Sequence, residues 1–323
     1  MKTQTYLKVW KPLLALFLLL AFIINLSCKS DQKKGNIGVT NEAAQKENTV
    51  NILTENMDFQ MPDTITSGWN TFVYRNASAQ THFFLIDKYP EGITLDSVKT
   101  RVLPPFDSGM KLINEGNAEK GFAEFGKLPA WFMEMKNLGG SGLISPGYSA
   151  QTTLKLDQGY YIFECYVKMS NGMWHTSMGM TKEIIVSETN SGKTEPLADI
   201  KIEISSTEGI VFNDSIKSGN HTFSVYYKDQ IIHENFIGHD LNLAKIEENA
   251  DLDELNNWMD WSNPKGLIEP APQGVTFLGG VNNMRTGDTG YFNVSLNPGK
   301  YVLIAEVPNP KEKNMLQTFE ILK

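Results

Sequence analysis

The residues of this sequence that could carry out chemistry gather near its middle. Cys165 ends the stretch 159–165 (GYYIFEC), His175 lies ten positions further on, and Met180 follows five positions after that histidine. The chain has one other cysteine, Cys28, at the end of an N-terminal apolar run. Without a disulfide partner, the Cys165 thiol is explained by burial in an apolar core, by a bound metal or by a redox role.

This pattern, Gly-x-Tyr-x-Phe-x-Cys followed by a loop and His-x4-Met, resembles the last strands of cupredoxins of the plastocyanin type. The resemblance implies a type 1 copper site with the ligands His82, Cys165, His175 and Met180. A thiolate and two imidazoles in one plane, with a weak axial thioether, suit both Cu(I) and Cu(II), so little reorganises when an electron moves. Two features depart from small blue-copper carriers: nine residues separate Cys165 from His175, and the apolar Phe83 follows His82.

The loop that contains His175 is rich in methionine. Within 166–180 (YVKMSNGMWHTSMGM), four methionines and Trp174 surround the histidine. Thioethers beside an imidazole favour Cu(I), and an indole can cap such an ion through a cation–π contact. Copper delivery or storage is therefore an alternative to electron transfer. A third interpretation is that these side chains fill the apolar underside of a flexible loop.

The segments that would position these residues occur twice along the chain. Leu-Gly-Gly at 138–140 recurs at 278–280, and 156–161 (LDQGYY) recurs as 296–301 (LNPGKY) at the same distance from the first motif. A repeated unit of this length indicates a duplicated domain. We therefore interpret the chain as a tandem duplication.

The two copies differ at the candidate site. A histidine lies fourteen positions after Gly68 in the first copy (His82) and fourteen after Gly219 in the second (His233). In the second copy Ala305 occupies the position of the cysteine, and no histidine follows it. The sequence therefore predicts one copper ion, in the first domain only, and a second domain that lacks the ligands.

Both copies show short alternating strands separated by turns, for example 71–75 (TFVYR) and 222–226 (TFSVY), which is typical of a β-sandwich. A helical pattern interrupts each copy, at about 107–126 and 252–258. The predicted fold class is all-β, with two tandem cupredoxin-like Greek-key β-sandwiches that each carry a short helical insertion. The predicted domains are 51–188 and 198–323, joined by a polar linker at 189–197.

The N-terminus has the features of an export signal. Lysines precede an apolar run at 13–26 that is too short to span a bilayer, and Ser27-Cys28 follows it. A small residue before a cysteine resembles the bacterial lipobox, although Asn25 stands where leucine is usual. The resemblance implies a lipoprotein signal peptide at 1–27, lipidation of Cys28 and a polar tether at 28–50. We expect attachment to a membrane of the cell envelope through the lipid, and Lys29 in place of aspartate favours the outer membrane.

Composition and motifs narrow the function. The formal net charge is −8 and no basic run follows the leader, so nucleic acid is not expected as a partner. Hydrolase and phosphate-binding motifs are absent from the sequence, and five histidines do not supply a trinuclear copper set, so we do not expect an enzyme. The leading hypothesis is a copper protein that exchanges electrons or copper with an envelope partner. The alternative is a metal-free surface lipoprotein that binds a ligand or a protein.

Overall fold

The computed structural model describes residues 49–213, 215–233 and 236–322. The predicted signal peptide, the lipidation of Cys28 and almost all of the predicted tether lie outside these residues. Seven strands form the first half: β1 (Thr49–Thr54), β2 (Thr64–Asn76), β3 (Leu85–Lys88), β4 (Lys136–Gly140), β5 (Ser149–Leu156), β6 (Gly159–Glu164) and β7 (Thr181–Asn190).

The second half contains eight strands in its described residues. They are β8 (Ile200–Ser205), β9 (Gly209–Phe212), β10 (Gly219–Tyr227), β11 (Leu241–Ile246), β12 (Val275–Val281), β13 (Thr289–Leu296), β14 (Gly299–Ile304) and β15 (Leu316–Ile321). Short helices interrupt both halves, so the prediction of an all-β chain with helical insertions is confirmed.

Each half has two layers of strands. In the first half β2 passes from one layer to the other: Thr64–Ser67 pair with β7, and the residues from Gly68 onward pair with β5. Gly68 has a φ of +85°, and a Cβ there would lie 2.8 Å from the Asn190 side chain, so glycine is required at the crossing. The crossing lets one strand serve both layers, whose aromatic side chains meet between them, as Phe72 and Phe163 do.

The strand pairings of the layer that carries the candidate site repeat in the second half. Leu85 of β3 pairs with Glu164 of β6 and with Gly140 of β4. Asn242 of β11 pairs in the same way with Ile304 of β14 and with Gly280 of β12. This register makes Leu85 and Asn242 equivalent, and it defines which residues of the two halves correspond.

The halves are joined by strand pairing and by a common core. Strand β5 pairs with its counterpart β13 in antiparallel register, through Thr152 and Phe292 among others. The largest buried apolar cluster contains residues of both halves, for example Leu154 and Phe292. Because these contacts bury side chains from each half against the other, the second half stabilises the first.

The helical insertion of the first half begins earlier than predicted. It contains α1 (Leu95–Arg101), α2 (Leu103–Asn114), α3 (Ala118–Phe125) and a 3₁₀ helix at Ala130–Glu134. Two prolines in the first turn of α2 start a helix there, where their missing N–H groups cost nothing. In the second half α4 (Leu252–Met259) forms close to the predicted position.

The insertion reaches the candidate site through its apolar face. Met110 and Ile113 of α2 pack against Trp174, the residue before His175. Helix α3 packs closely on α2, because Gly109 and Gly121 face each other and a Cβ at Gly121 would lie 2.6 Å from the Gly109 carbonyl oxygen. Among the described residues, no helix is both long enough and apolar enough to cross a membrane.

Candidate metal centre

The loop that follows β6 is folded back by backbone hydrogen bonds. The Cys165 N–H donates to the Met180 carbonyl (3.1 Å), and the His175 N–H donates to the Val167 carbonyl (2.9 Å). The Met180 N–H in turn donates to the His175 carbonyl (3.0 Å). These bonds place the cysteine, histidine and methionine of the sequence pattern at one end of the first half.

His82 reaches the same place from another part of the chain. It lies three residues before β3, and its backbone exchanges two hydrogen bonds with Ile144 (3.2 and 2.7 Å). Because β3 pairs with β6, a residue just before β3 lies next to a residue just after β6. The sheet register therefore brings His82 beside Cys165, although 82 residues separate them.

Three of the four predicted ligands converge on one point. The Cys165 Sγ lies 3.7 Å from the Nδ1 atom of His82 and 3.7 Å from that of His175, and the two Nδ1 atoms are 3.1 Å apart. A point in their plane lies about 2.0 Å from all three atoms, close to the ~2.0–2.3 Å of transition-metal bonds to imidazole and thiolate. Within the described part of the chain, this is the one group of three or more His, Cys, Asp or Glu residues close enough to hold a metal ion.

The fourth predicted ligand, Met180, is completely buried (0% exposed). Its backbone bonds to both Cys165 and His175, as described above. The other loop methionines differ: Met173 and Met178 are 49% and 40% exposed. The methionines of the loop therefore do not form one cluster around the histidine.

Burial sets the protonation of the three ligands. Burial and then the neighbouring His175 lower the pKa of His82 to about 3, and burial lowers that of His175 to about 4. Burial also raises the pKa of the Cys165 thiol to about 12, against a smaller lowering by backbone hydrogen bonds. At neutral pH both imidazoles are uncharged and can bind a cation, and a bound metal would displace the thiol proton.

The far nitrogens of the two imidazoles make no hydrogen bond. The Nε2 atoms of His82 and His175 are buried and have no partner within the described residues. Metal-bound histidines usually donate this N–H to an oxygen that fixes the ring. Here packing holds the rings, whose centroids are 4.7 Å apart.

Residues of the second half cover the outer side of the loop. Trp174 lies 5.3 Å from Trp261, measured between ring centroids, and the ammonium of Lys168 stands 5.1 Å from the first ring and 5.9 Å from the second. Lys168 is 1% exposed, and it donates to the carbonyl of Pro264 at 3.2 Å. The halves thus share a cation–π contact beside a candidate ligand.

A cavity of about 100 Å³ lies between the halves next to the site. Tyr166 donates to the buried carboxylate of Glu306 (3.0 Å), and burial raises the pKa of the nearby Asp240 to about 7. The sequence analysis did not single out these acidic residues, because no motif marks them. The cavity lining includes Glu164, Tyr166, Trp174, Thr176, Asp240 and Glu306.

The second half retains part of the constellation. The Ala305 N–H donates to the Met315 carbonyl (3.0 Å), and the Met315 N–H donates to the Pro310 carbonyl (2.7 Å). These two bonds match the Cys165–Met180 and Met180–His175 bonds of the first loop, whereas the bond from the His175 N–H to Val167 has no counterpart, because Pro310 has no N–H. Alanine therefore stands in place of the cysteine and Pro310 in place of His175, while Met315 corresponds to Met180.

The histidine that corresponds to His82 is His239, not His233. Both His82 and His239 lie three residues before the equivalent positions of β3 and β11. His239 is 0% exposed, and its Nε2 lies 3.0 Å from the Nε2 of His233. Counting fourteen positions from Gly219, as from Gly68, leads to His233. That count is wrong because the loop between β10 and β11 differs in length from the one between β2 and β3.

Comparisons with solved structures find similarities to this chain at low TM-scores. No protein-family model and no curated protein matches the sequence. The reduced auracyanin of Roseiflexus castenholzii is 22% identical, with a TM-score of 0.27 over 43% of this chain and 97% of the other. Auracyanin A, a "blue" copper protein of Chloroflexus aurantiacus, is 18% identical, with a TM-score of 0.27 over 43% and 98%. The copper-containing nitrite reductase of Thermus scotoductus is 11% identical, with a TM-score of 0.20 over 84% and 61%. With TM-scores this low, we draw no conclusion about function from these similarities.

The titration of the candidate ligands tests the geometry of the metal-free protein. We expect the imidazoles of His82 and His175 to stay neutral down to pH 5, because burial holds their pKa values at about 3 and 4 instead of 6.5. Nitrogen NMR of the side chains measures this, and His82→Asn and His175→Asn variants assign the signals. Titration of either ring near pH 6.5 would contradict the buried arrangement.

The lowered pKa values of His82 and His175 also make the free energy of unfolding depend on pH. The unfolded chain takes up these two protons near pH 6.5, whereas the folded protein resists them down to pH 3–4. The contribution of these two neutral imidazoles to the free energy of unfolding is complete above pH 6.5 and is lost as the pH falls towards 4. Buried carboxyls with raised pKa values, such as Asp240, act in the opposite direction, so NMR of the individual rings is the cleaner measurement.

Proposed function

We propose that this chain is a cupredoxin-like copper protein that transfers electrons and arose by tandem duplication, with one type 1 copper in its first half. The observation that carries the proposal is the triangle formed by the Sγ of Cys165 and the Nδ1 atoms of His82 and His175, whose centre lies at metal–ligand distance. Met180 is proposed as the weak axial ligand, since the loop turns at this residue and buries it.

The donor set supports copper over zinc. Structural zinc sites are closed by four strong ligands in a tetrahedron. Two imidazoles and one thiolate in a plane, with at most a weak thioether, suit the two oxidation states of copper. Ligands that the protein already holds in place need little movement when the ion changes charge, which favours electron transfer.

Burial of the ligands supports a carrier over an enzyme. His82, Cys165 and His175 are each 0% exposed, so a substrate has no direct approach to an ion held between them. An electron can still leave through the covering residues. The exposed side chains of Met173 and Met178, on the same loop as His175, offer a small apolar surface on which a redox partner of the envelope could dock.

The second half is proposed to act as a support for the first. Strand pairing between β5 and β13 fixes the two halves to each other, and Trp261 packs over Trp174. Loss of the cysteine and the second histidine then removes the metal while the scaffold is kept. Lipidation of Cys28 would hold this pair at a membrane of the cell envelope, within reach of the partner.

Copper loading tests the proposal directly. We expect Cu²⁺ to give an intense visible thiolate-to-copper absorption in the wild-type protein, and we expect Cys165→Ser to abolish that band. His221→Gln is the matched control, because His221 lies on β10 and bonds to Asp199, away from the triangle, and it should leave the band unchanged. Absence of this band from the wild-type protein loaded with Cu²⁺ would refute the proposal of a type 1 site, and tight Cu(I) binding without the band would indicate copper handling instead.

A pair of equivalent methionines tests the axial ligand. Met180→Leu keeps the side-chain volume but removes the thioether, so we expect copper to remain bound with a changed reduction potential. Met315→Leu is the control, since Met315 is 1% exposed and makes the equivalent backbone bond in the half without a cysteine. Equal potentials in the wild type and both variants, measured by redox titration of the visible band, would show that Met180 only packs in the core.

A further inference from the structure

Two histidines of the second half face each other at a distance that a metal ion could bridge. The Nε2 atoms of His233 and His239 are 3.0 Å apart, almost the same separation as the 3.1 Å between the Nδ1 atoms of His82 and His175. His239 is completely buried, whereas His233 is only partly buried. The pair therefore lies at the edge of the second half, at the position that corresponds to His82.

The other ring nitrogen of His239 faces a carboxylate. Its Nδ1 lies 3.7 Å from Oδ1 of Asp229. Asp229 is itself held in place, because the backbone N–H and the hydroxyl of Ser206 donate to its two oxygens at 2.8 and 2.7 Å. At 3.7 Å this contact is too long for a hydrogen bond, and the Nδ1 makes none within the described residues, so the carboxylate acts on the ring through its charge, which favours a cation bound at the Nε2.

The backbone around His239 is fixed as well. Its N–H donates to Oε1 of Gln230, and its carbonyl accepts from Nε2 of the same glutamine at 3.0 Å. Gln230 also donates to the carbonyl of Met284 at 2.7 Å. His239 is thus held in place, and the backbone N–H of His233 donates to the Ile237 carbonyl at 2.7 Å.

The separation of the two nitrogens matches neighbouring ligands of one ion. An ion about 2.0–2.1 Å from both would see them at an angle of about 90–100°, as in tetragonal or octahedral coordination. Water would complete the coordination shell. Burial lowers the pKa of His239 to about 4, so the ring is uncharged at neutral pH and can bind a cation.

We propose that His233 and His239 form a second binding site for a divalent transition-metal ion, which the negative charge of the nearby Asp229 favours. Imidazole ligands favour Cu²⁺ over Zn²⁺ in the general affinity order, so Cu²⁺ binds more tightly here. This site shares no residue with the triangle in the first half. It therefore stands whether or not that triangle holds a type 1 copper.

Counting bound ions in the full-length protein tests the second site. With Cu²⁺ as the probe, we expect two ions in the wild type and one in His233→Ala, with an unchanged visible thiolate band in the variant. That band also reports that the variant is folded. His221→Gln is the control and should still bind two ions. If the first site fails, the band is absent, but one ion that depends on His233 remains.

A second variant separates ligation from a simple hydrogen bond between the rings. Asp229→Asn retains both imidazoles and an oxygen for Ser206 but removes the charge beside His239, so it should weaken Cu²⁺ binding at this site about 5–10-fold. Isothermal titration and the paramagnetic resonance signal of the second ion measure this. The proposal is overturned if the wild type and His233→Ala bind the same number of ions with the same affinity, since the rings then make only an N–H···N bond.

Discussion

Three buried metal-binding atoms, supplied by two distant parts of the chain, converge on one point, and the strand register and the folded-back loop of the first half together meet this constraint. Burying a thiol and two imidazoles whose Nε2 atoms have no partner among the described residues is unfavourable, because polar groups lose water without regaining hydrogen bonds. A bound ion would offset that cost, because it bonds to all three residues and joins the two segments. The pairing of β3 with β6 and the folded-back loop after β6 hold the three atoms at this distance.

The second half shows how the same framework behaves without a complete ligand set. Its loop repeats two of the three backbone hydrogen bonds described for the first loop, with alanine and proline at the positions of the cysteine and the second histidine. The framework therefore does not need the metal ligands in order to form. The second half supports the first through direct contacts. It extends the sheet through β13, and it covers the candidate site with Trp261 and with the carbonyls that accept from Lys168.

The sequence predicts the all-β class, because strand alternation is a local signal, and the resemblance to cupredoxins names His82, Cys165 and His175, which the structure brings together. The sequence mispredicts which histidine of the second half corresponds to His82. The same number of positions was counted in both halves, but the loop before β11 differs in length from the loop before β3. The sequence also places the start of the helical insertion too late, at about 107, whereas α1 begins at Leu95 and α2 at Leu103. The acidic lining of the cavity and the contact between His233 and His239 arise where the halves or loops fold together, and no short pattern records such contacts.

X-ray absorption at the copper edge of the copper-loaded protein tests the central claim most directly, since it counts the atoms bound to the ion. His233→Ala protein is the sample of choice, so that the first-half ion alone contributes. The account predicts one sulfur at a short distance and two imidazole nitrogens around the ion, with any second sulfur much further away. A shell of nitrogen and oxygen atoms without sulfur would show that Cys165 does not bind the ion and would contradict the account.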